Sequence, residues 1–143
     1  MSGNFRLAGI ALLACAAAAQ ADPMPMDAPI TDNGIETVCT GIGDEAQSDP
    51  RWKTYPVRIE FSNGGAQYLS GVHLTLADSE GKTLTSIDCA GAWVLFRLAP
   101  GQYRVSATLL SQPGAPPRSV TIAPPATGQK RFVIQFAGVG ANQ

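Results

Sequence analysis

Few side chains in this sequence can do chemistry, and their types and spacing restrict what that chemistry can be. His73 is the only histidine among 143 residues. A general base needs a nucleophile or an acid within hydrogen-bond reach. Thr75 shares the face of His73 on an extended strand, but the two make no recognised catalytic pair. Ser48, Ser70 and Ser111 lie in loops, and none stands in a G-x-S-x-G or S-x-x-K arrangement, so serine hydrolysis has no support. Met24 and Met26 could join His73 as soft copper ligands, but two methionines among prolines read as linker, and no metal or other cofactor is expected. Asp44, Glu45, Asp49 and Asp78 lack the spacing of a calcium loop and read as solvated turn carboxylates. Trp52, Tyr55, Tyr68 and Trp93 could build a sugar-stacking platform. Trp93 runs straight into Val94-Leu95-Phe96 and reads as core. Trp52, between Arg51 and Lys53, is the expected exposed aromatic, with cation–π pairing to those neighbours as its other use. Trp52 and Tyr68 are therefore the candidate binding residues.

The cysteines speak to compartment. Residues 7–19 form a continuous apolar run after the single charge of Arg6, and Ala19-Gln20-Ala21 has the small-x-small form that signal peptidase accepts. A helix spanning a bilayer needs roughly 20 apolar residues, so no transmembrane segment is expected. The reading is a signal peptide over residues 1–21, cleaved after Ala21. The alternative is a lipoprotein anchored at Cys15, since Leu12-Leu13-Ala14-Cys15 resembles a lipobox. Cleavage after Ala21 removes Cys15 and leaves Cys39 and Cys89, an even pair expected to form a disulfide in an oxidising compartment. The chain carries 10 basic and 11 acidic residues, scattered, with no basic stripe to neutralise phosphates. Nucleic acid is not an expected partner.

The elements that must position these residues repeat with period two. Residues 22–34 hold three prolines and few large apolar side chains, and read as a disordered or extended lead-in. Beyond it, Val57, Ile59 and Phe61 alternate with Arg58 and Glu60; Val72, Leu74 and Leu76 alternate with His73 and Thr75. The same pattern marks strands over 103–109 and 132–136, with shorter ones at 35–39, 83–87, 93–98 and 118–122. Only 44–53 could hold a helix, and Pro50 would cut it short. Seven or eight short antiparallel strands, each with one apolar face, predict an all-β sandwich of two packed sheets over 35–137, with a tail at 138–143. In Ala99-Pro100-Gly101-Gln102, proline presets φ and glycine supplies positive φ, the chemistry of a type II turn.

That corner also carries a resemblance. Phe96-Arg97-Leu98-Ala99-Pro100-Gly101-Gln102-Tyr103-Arg104-Val105 resembles the corner of carboxypeptidase regulatory-like domains, as does Gly71-Val72-His73-Leu74-Thr75-Leu76-Ala77-Asp78-Ser79-Glu80-Gly81-Lys82-Thr83 before it. Cys39-Thr40-Gly41-Ile42-Gly43, Gln67-Tyr68-Leu69-Ser70-Gly71-Val72 and Gly91-Ala92-Trp93 are similar to elements of small secreted bacterial proteins built on one such domain, although that group often has Pro where Ala92 stands. The resemblance implies a prealbumin-like sandwich and a non-catalytic accessory module. Its transthyretin-like relatives include a hydrolase of 5-hydroxyisourate, which needs several histidines and a C-terminal tetrapeptide ending in Ser; this chain has one histidine and ends Gly140-Ala141-Asn142-Gln143.

The functional expectation is a secreted or periplasmic, non-enzymatic binding module presenting loops around Trp52, Tyr68 and 113–117 to an envelope protein or a glycan. Its alternatives are a carbohydrate-binding sandwich and a small transthyretin-like hydrolase with a site near His73. The sequence sets no oligomeric state.

Overall fold

The computed structural model describes residues 23–65 and 67–137, besides the isolated Gly3 and Gly9. Cys15, the expected cleavage point after Ala21 and residues 138–143 lie outside the described residues. Nine strands are present in the described part: β1 (Ile30–Asp32), β2 (Ile35–Thr40), β3 (Val57–Ser62), β4 (Val72–Asp78), β5 (Thr83–Cys89), β6 (Trp93–Arg97), β7 (Tyr103–Leu109), β8 (Arg118–Ile122) and β9 (Lys130–Gln135). They form a five-stranded sheet, β1-β2-β6-β3-β9, and a four-stranded sheet, β5-β4-β7-β8. The chain is an all-β sandwich. Pairing is antiparallel throughout except between β3 and β9, which run parallel in register Val57↔Lys130 to Ser62↔Gln135. β9 arrives from the other sheet, since β8 belongs to the four-stranded one, and Pro124 and Pro125 break the ladder at the crossing.

Alternation builds the core directly. Val57, Ile59 and Phe61 of β3, Leu74 and Leu76 of β4, and Val105 and Ala107 of β7 point between the sheets and are all but inaccessible. Each buried aliphatic or aromatic side chain contributes about 1.5–3 kcal/mol through removal of its apolar surface from water. Cys39 of β2 and Cys89 of β5 are bonded across this core, joining the two sheets over a sequence separation of 50.

The lead-in departs from expectation. Met24 is 6% exposed and belongs to the core, and its N–H donates to the Asp88 carbonyl at 3.0 Å. The Asp27 N–H donates to Cys39 O at 2.9 Å, and its carboxylate accepts from the Thr40 hydroxyl at 2.6 Å. β1 then pairs with β2 through a two-residue turn, Asn33 at φ 50° and Gly34 at φ 76°. Positive φ at both positions is the requirement of the type I′ hairpin, and Asn-Gly meets it. The three prolines precede that hairpin and do not interrupt it.

Two short helical pieces fill the connection from β2 to β3: α1 (Asp44–Gln47) and a 3₁₀ helix (Pro50–Thr54). Pro50 opens the second, a position where its missing N–H has no intrahelical partner to lose. At the Pro-Gly corner Gly101 adopts φ 146°, beyond the usual type II value of about +80°. The corner is clasped by the Tyr103 hydroxyl, which donates to the Ala99 carbonyl at 2.8 Å.

Candidate functional site

The outward faces of the two sheets carry the polar chemistry, and they differ. On the five-stranded sheet, one half of the outer face is covered. Val38 and Leu95 point outward there, and Trp52 and Tyr55 from the 3₁₀ helix pack on them as a second small core. The Gln129 amide fastens this cover, donating to the carbonyls of Trp52 at 2.7 Å and Tyr55 at 3.0 Å. Trp52 is 3% exposed, so its assignment as an exposed binding aromatic is corrected: the helix turns its ring inward over Leu95, and the Arg51 guanidinium caps it at 4.5 Å. The cation–π use of Trp52 is the one observed. Tyr55 donates its hydroxyl to Glu36 at 2.7 Å, and Arg97 reaches the same carboxylate at 3.1 Å. Burial, then the Glu36 carboxylate, pushes the Tyr55 phenol up to about 12. The Tyr55 hydrogen bond, then Arg97, holds Glu36 below the usual carboxylate value.

The other half of that face stays open and holds Tyr68. Leu69 is buried in the core, its N–H donating to Phe61 O at 2.9 Å, and Tyr68 bridges to Ser62. Anchored this way, Tyr68 stands 40% exposed, its ring edge-to-face with Trp93 at 6.0 Å and 83°. Trp93 is buried, as expected, but on the outer side of β6 and not between the sheets: Arg58 lies over its ring at 4.4 Å, and Gly41 presses against it. A groove of about 250 Å³ runs beside Tyr68. Glu60, Ser62, Gly65, Arg131 and Gln135 share its lining.

Glu60 is the unusual member. It is 2% exposed, and its Oε2 lies 2.8 Å from Arg58 Nε and 3.6 Å from Arg131 Nε. Neither guanidinium aligns an N–H with that oxygen, which has no hydrogen-bond partner among the described residues. A buried carboxylate oxygen with charge compensation but an open lone pair is costly to leave unmatched. Burial, then Glu60, raises the Tyr68 phenol above its ordinary value. Segment 113–117 lines a different cleft of about 340 Å³, with Leu109 and Phe136, and shares no lining residue with the Tyr68 groove. The structure therefore does not bring Trp52, Tyr68 and that loop into one surface.

The outer face of the four-stranded sheet carries an arrangement not visible in the sequence. β4 and β5 pair with His73 opposite Asp88 and Thr75 opposite Ser86. His73 Nδ1 lies 2.6 Å from Asp88 Oδ1, and His73 Nε2 lies 3.3 Å from Ser86 Oγ. The expected neighbour, Thr75, shares a hydrogen bond with Ser86, hydroxyl to hydroxyl, at 3.0 Å. The imidazole is 42% exposed, in line with its expected solvent-facing position. Asp88 and Ser86 escape a motif search because they sit 15 and 13 residues from His73. The readable signal is the strand pair itself: in a tight antiparallel hairpin, outward positions on one strand meet outward positions on the other.

No group of three or more histidine, cysteine or acidic side chains spaced to hold a metal occurs among the described residues. No described helix is long and apolar enough to cross a membrane. No protein-family model matches the chain, and no curated protein matches it.

Proposed function

We propose that this chain is an exported binding module of the cell envelope and that its ligand is a glycan held in the Tyr68 groove. The observation that carries the reading is the half-exposed Tyr68 ring beside a groove whose accessible polar lining includes Arg131 and Gln135. Sugar hydroxyls occur in vicinal pairs, and planar polar side chains take them two at a time. Arg131 donates, and the Gln135 amide both donates and accepts. Tyr68 supplies the apolar face on which a pyranose ring rests. Arg58 and Arg131 together outweigh Glu60 by one positive charge, which suits a neutral or acidic sugar better than a basic one.

Export is supported by the buried bond between Cys39 and Cys89, since such bonds persist in oxidising compartments. The turn and core motifs resembling carboxypeptidase regulatory-like domains support an accessory binding role in the same way. A ¹⁵N-labelled sample titrated with chitotetraose and with a soluble muropeptide tests the reading. Shifts should cluster at Tyr68, Arg131 and Gln135. Tyr68→Ala should weaken binding about tenfold, the equivalent of one lost stacking contact. No shift at these residues with either glycan at about 10 mM, well above the Kd a useful sugar contact needs, removes the glycan reading. Capture of an envelope protein that Tyr68→Ala abolishes would then replace it by a protein partner.

A further inference from the structure

Beyond ligand binding, we infer that Ser86 is an acyl-accepting nucleophile, activated by His73 and positioned for hydrolysis of small carboxylic esters. Three observations converge on it. The first is the chain of contacts Asp88 Oδ1–His73 Nδ1 at 2.6 Å and His73 Nε2–Ser86 Oγ at 3.3 Å. With Nδ1 donating to the carboxylate, Nε2 is left as the acceptor for the Ser86 proton. This is the division of roles that makes a hydroxyl nucleophilic. Asp88 is a positioning residue in this scheme, because it acts through His73.

The second observation is an available oxyanion donor. β5 is an edge strand, paired only with β4. The Asp88 carbonyl faces the open edge, where it accepts from the Met24 N–H. Backbone groups alternate sides along a strand, so Ser86, two residues away in unbroken register, directs its own N–H to that same edge. The described lead-in meets β5 at Asp88 through Pro23 and Met24, at Thr85 through the Asp32 carboxylate and at Leu84 through the Asn33 amide. The Ser86 N–H has no partner among the described residues. A nucleophile's own amide is an effective donor to the oxygen of a tetrahedral intermediate.

The third observation is space. A shallow hollow of about 350 Å³ borders His73 on the β7 side, lined also by Thr75, Ser106, Thr108 and Pro117. Ser86 lies on the β5 side of the imidazole, so an ester carbonyl over Ser86 places its alcohol portion across His73 and above the hollow. In the first half-reaction Ser86 Oγ forms a bond to the carbonyl carbon while its proton passes to His73 Nε2. The carbonyl electron pair collects on oxygen, facing the Ser86 N–H. It then re-forms the carbonyl as the carbon–alkoxy bond breaks, and the Nε2 proton leaves with the alcohol. Water then loses a proton to the same Nε2 as its oxygen bonds to the acyl carbon; the carbon–Oγ bond breaks, the Nε2 proton returns to Ser86 Oγ, and the carboxylic acid leaves.

The test uses the disulfide-intact protein and two probes, a fluorophosphonate and p-nitrophenyl acetate, read by intact mass and peptide mapping. One adduct is expected, on Ser86, and none in Ser86→Ala. His73→Gln should slow adduct formation by about a hundredfold, in the range for loss of a general base. Asp88→Asn should slow it while leaving the melting temperature and the circular dichroism spectrum unchanged, a separation that a merely structural contact would not produce. Absence of a Ser86 adduct, an adduct mapped elsewhere, or an unchanged rate in His73→Gln with the fold intact would each overturn the assignment. None of these outcomes depends on whether the Tyr68 groove holds a glycan.

Discussion

Gly41→Ala isolates how tightly the Tyr68 groove is built. Gly41 sits at φ +97°, and a Cβ placed on it would lie 2.6 Å from Trp93 Cγ and 2.9 Å from Trp93 Cβ and Cδ1. Two costs follow. An L side chain held in the left-handed region costs roughly 1–2 kcal/mol. The indole cannot absorb an overlap of that depth by a small shift. It must leave its rotamer, at about 0.5–1.5 kcal/mol, and weaken its edge contact with Tyr68, worth about 0.5–1.5 kcal/mol. The expected loss is about 2–5 kcal/mol. Gly43 supplies the control, at φ +88° with nothing within 4 Å of its added Cβ. Gly43→Ala therefore carries the conformational cost alone. Urea unfolding of both variants at pH 7, disulfide intact, should show Gly41→Ala the less stable by about 1–3 kcal/mol at equal m-value. Near-UV circular dichroism should change only for Gly41→Ala, because only there does an aromatic ring move. Equal losses in the two variants would show that Trp93 yields freely and that the groove has no rigid wall.

Other parts of the structure make equally definite demands. Tyr55 has its phenol raised to about 12, so the stability it contributes is complete below its unfolded value near 10 and is lost as pH climbs toward 12. Tyr55→Phe should be less stable than the parent at pH 7, and the difference, followed by urea titration, should shrink by about 2–3 kcal/mol across that window. Glu36 works at the other limb: its pKa is lowered, so its contribution is present above the unfolded value near 4.5 and fades as pH falls. Glu36→Gln should flatten the acid side of the stability profile. Replacing both Cys39 and Cys89 by Ala opens a loop with a sequence separation of 50 and should cost roughly 4 kcal/mol in calorimetry. Met24→Ala should cost about 2–3 kcal/mol, as removal of a core side chain does, whereas a lead-in detached from the core would give no change.

The strands of this protein are legible because their periodicity is strong. Val57 to Phe61 and Val72 to Leu76 read as half-buried strands in the sequence and occupy β3 and β4. The lead-in is less legible because two local signals compete there. Proline content argues for an open chain, while Asn33-Gly34 between Ile30 and Ile35 argues for a hairpin, and the hairpin is what forms. Trp52 is hidden for a tertiary reason. Its charged neighbours suggest exposure, but Val38 and Leu95 break the alternation of their strands and require something apolar to cover them. The continuous apolar run Trp93-Val94-Leu95-Phe96 is the trace of that requirement. Tyr68 is legible as a surface aromatic, but its partners Glu60 and Arg131 are not, because a parallel pairing between β3 and β9 sets Glu60 opposite Val133 and brings Arg131 within reach. Ser86 and Asp88 are hidden by distance along the chain and become visible only once the β4–β5 register is known.

One physical rule places both sites. In a two-layer sandwich each strand commits alternate residues to the core, so any polar chemistry is confined to the outward positions of the same strands. β3 turns Ile59 inward and Glu60 outward; β5 turns Ile87 inward and Ser86 and Asp88 outward. Side chains on the two outer faces therefore point in opposite directions across sheets packed about 10 Å apart. What distinguishes an open face from a closed one is then its cover. The 3₁₀ helix closes half of the five-stranded face and leaves the Tyr68 groove; the lead-in meets the β5 edge at Asp88, Thr85 and Leu84. The 3₁₀ helix adds nothing to the central core, whereas the lead-in gives it Met24 and packs Met26 and Ile30 against it. Their reach along the sheet, rather than the sandwich itself, decides which outward side chains meet solvent.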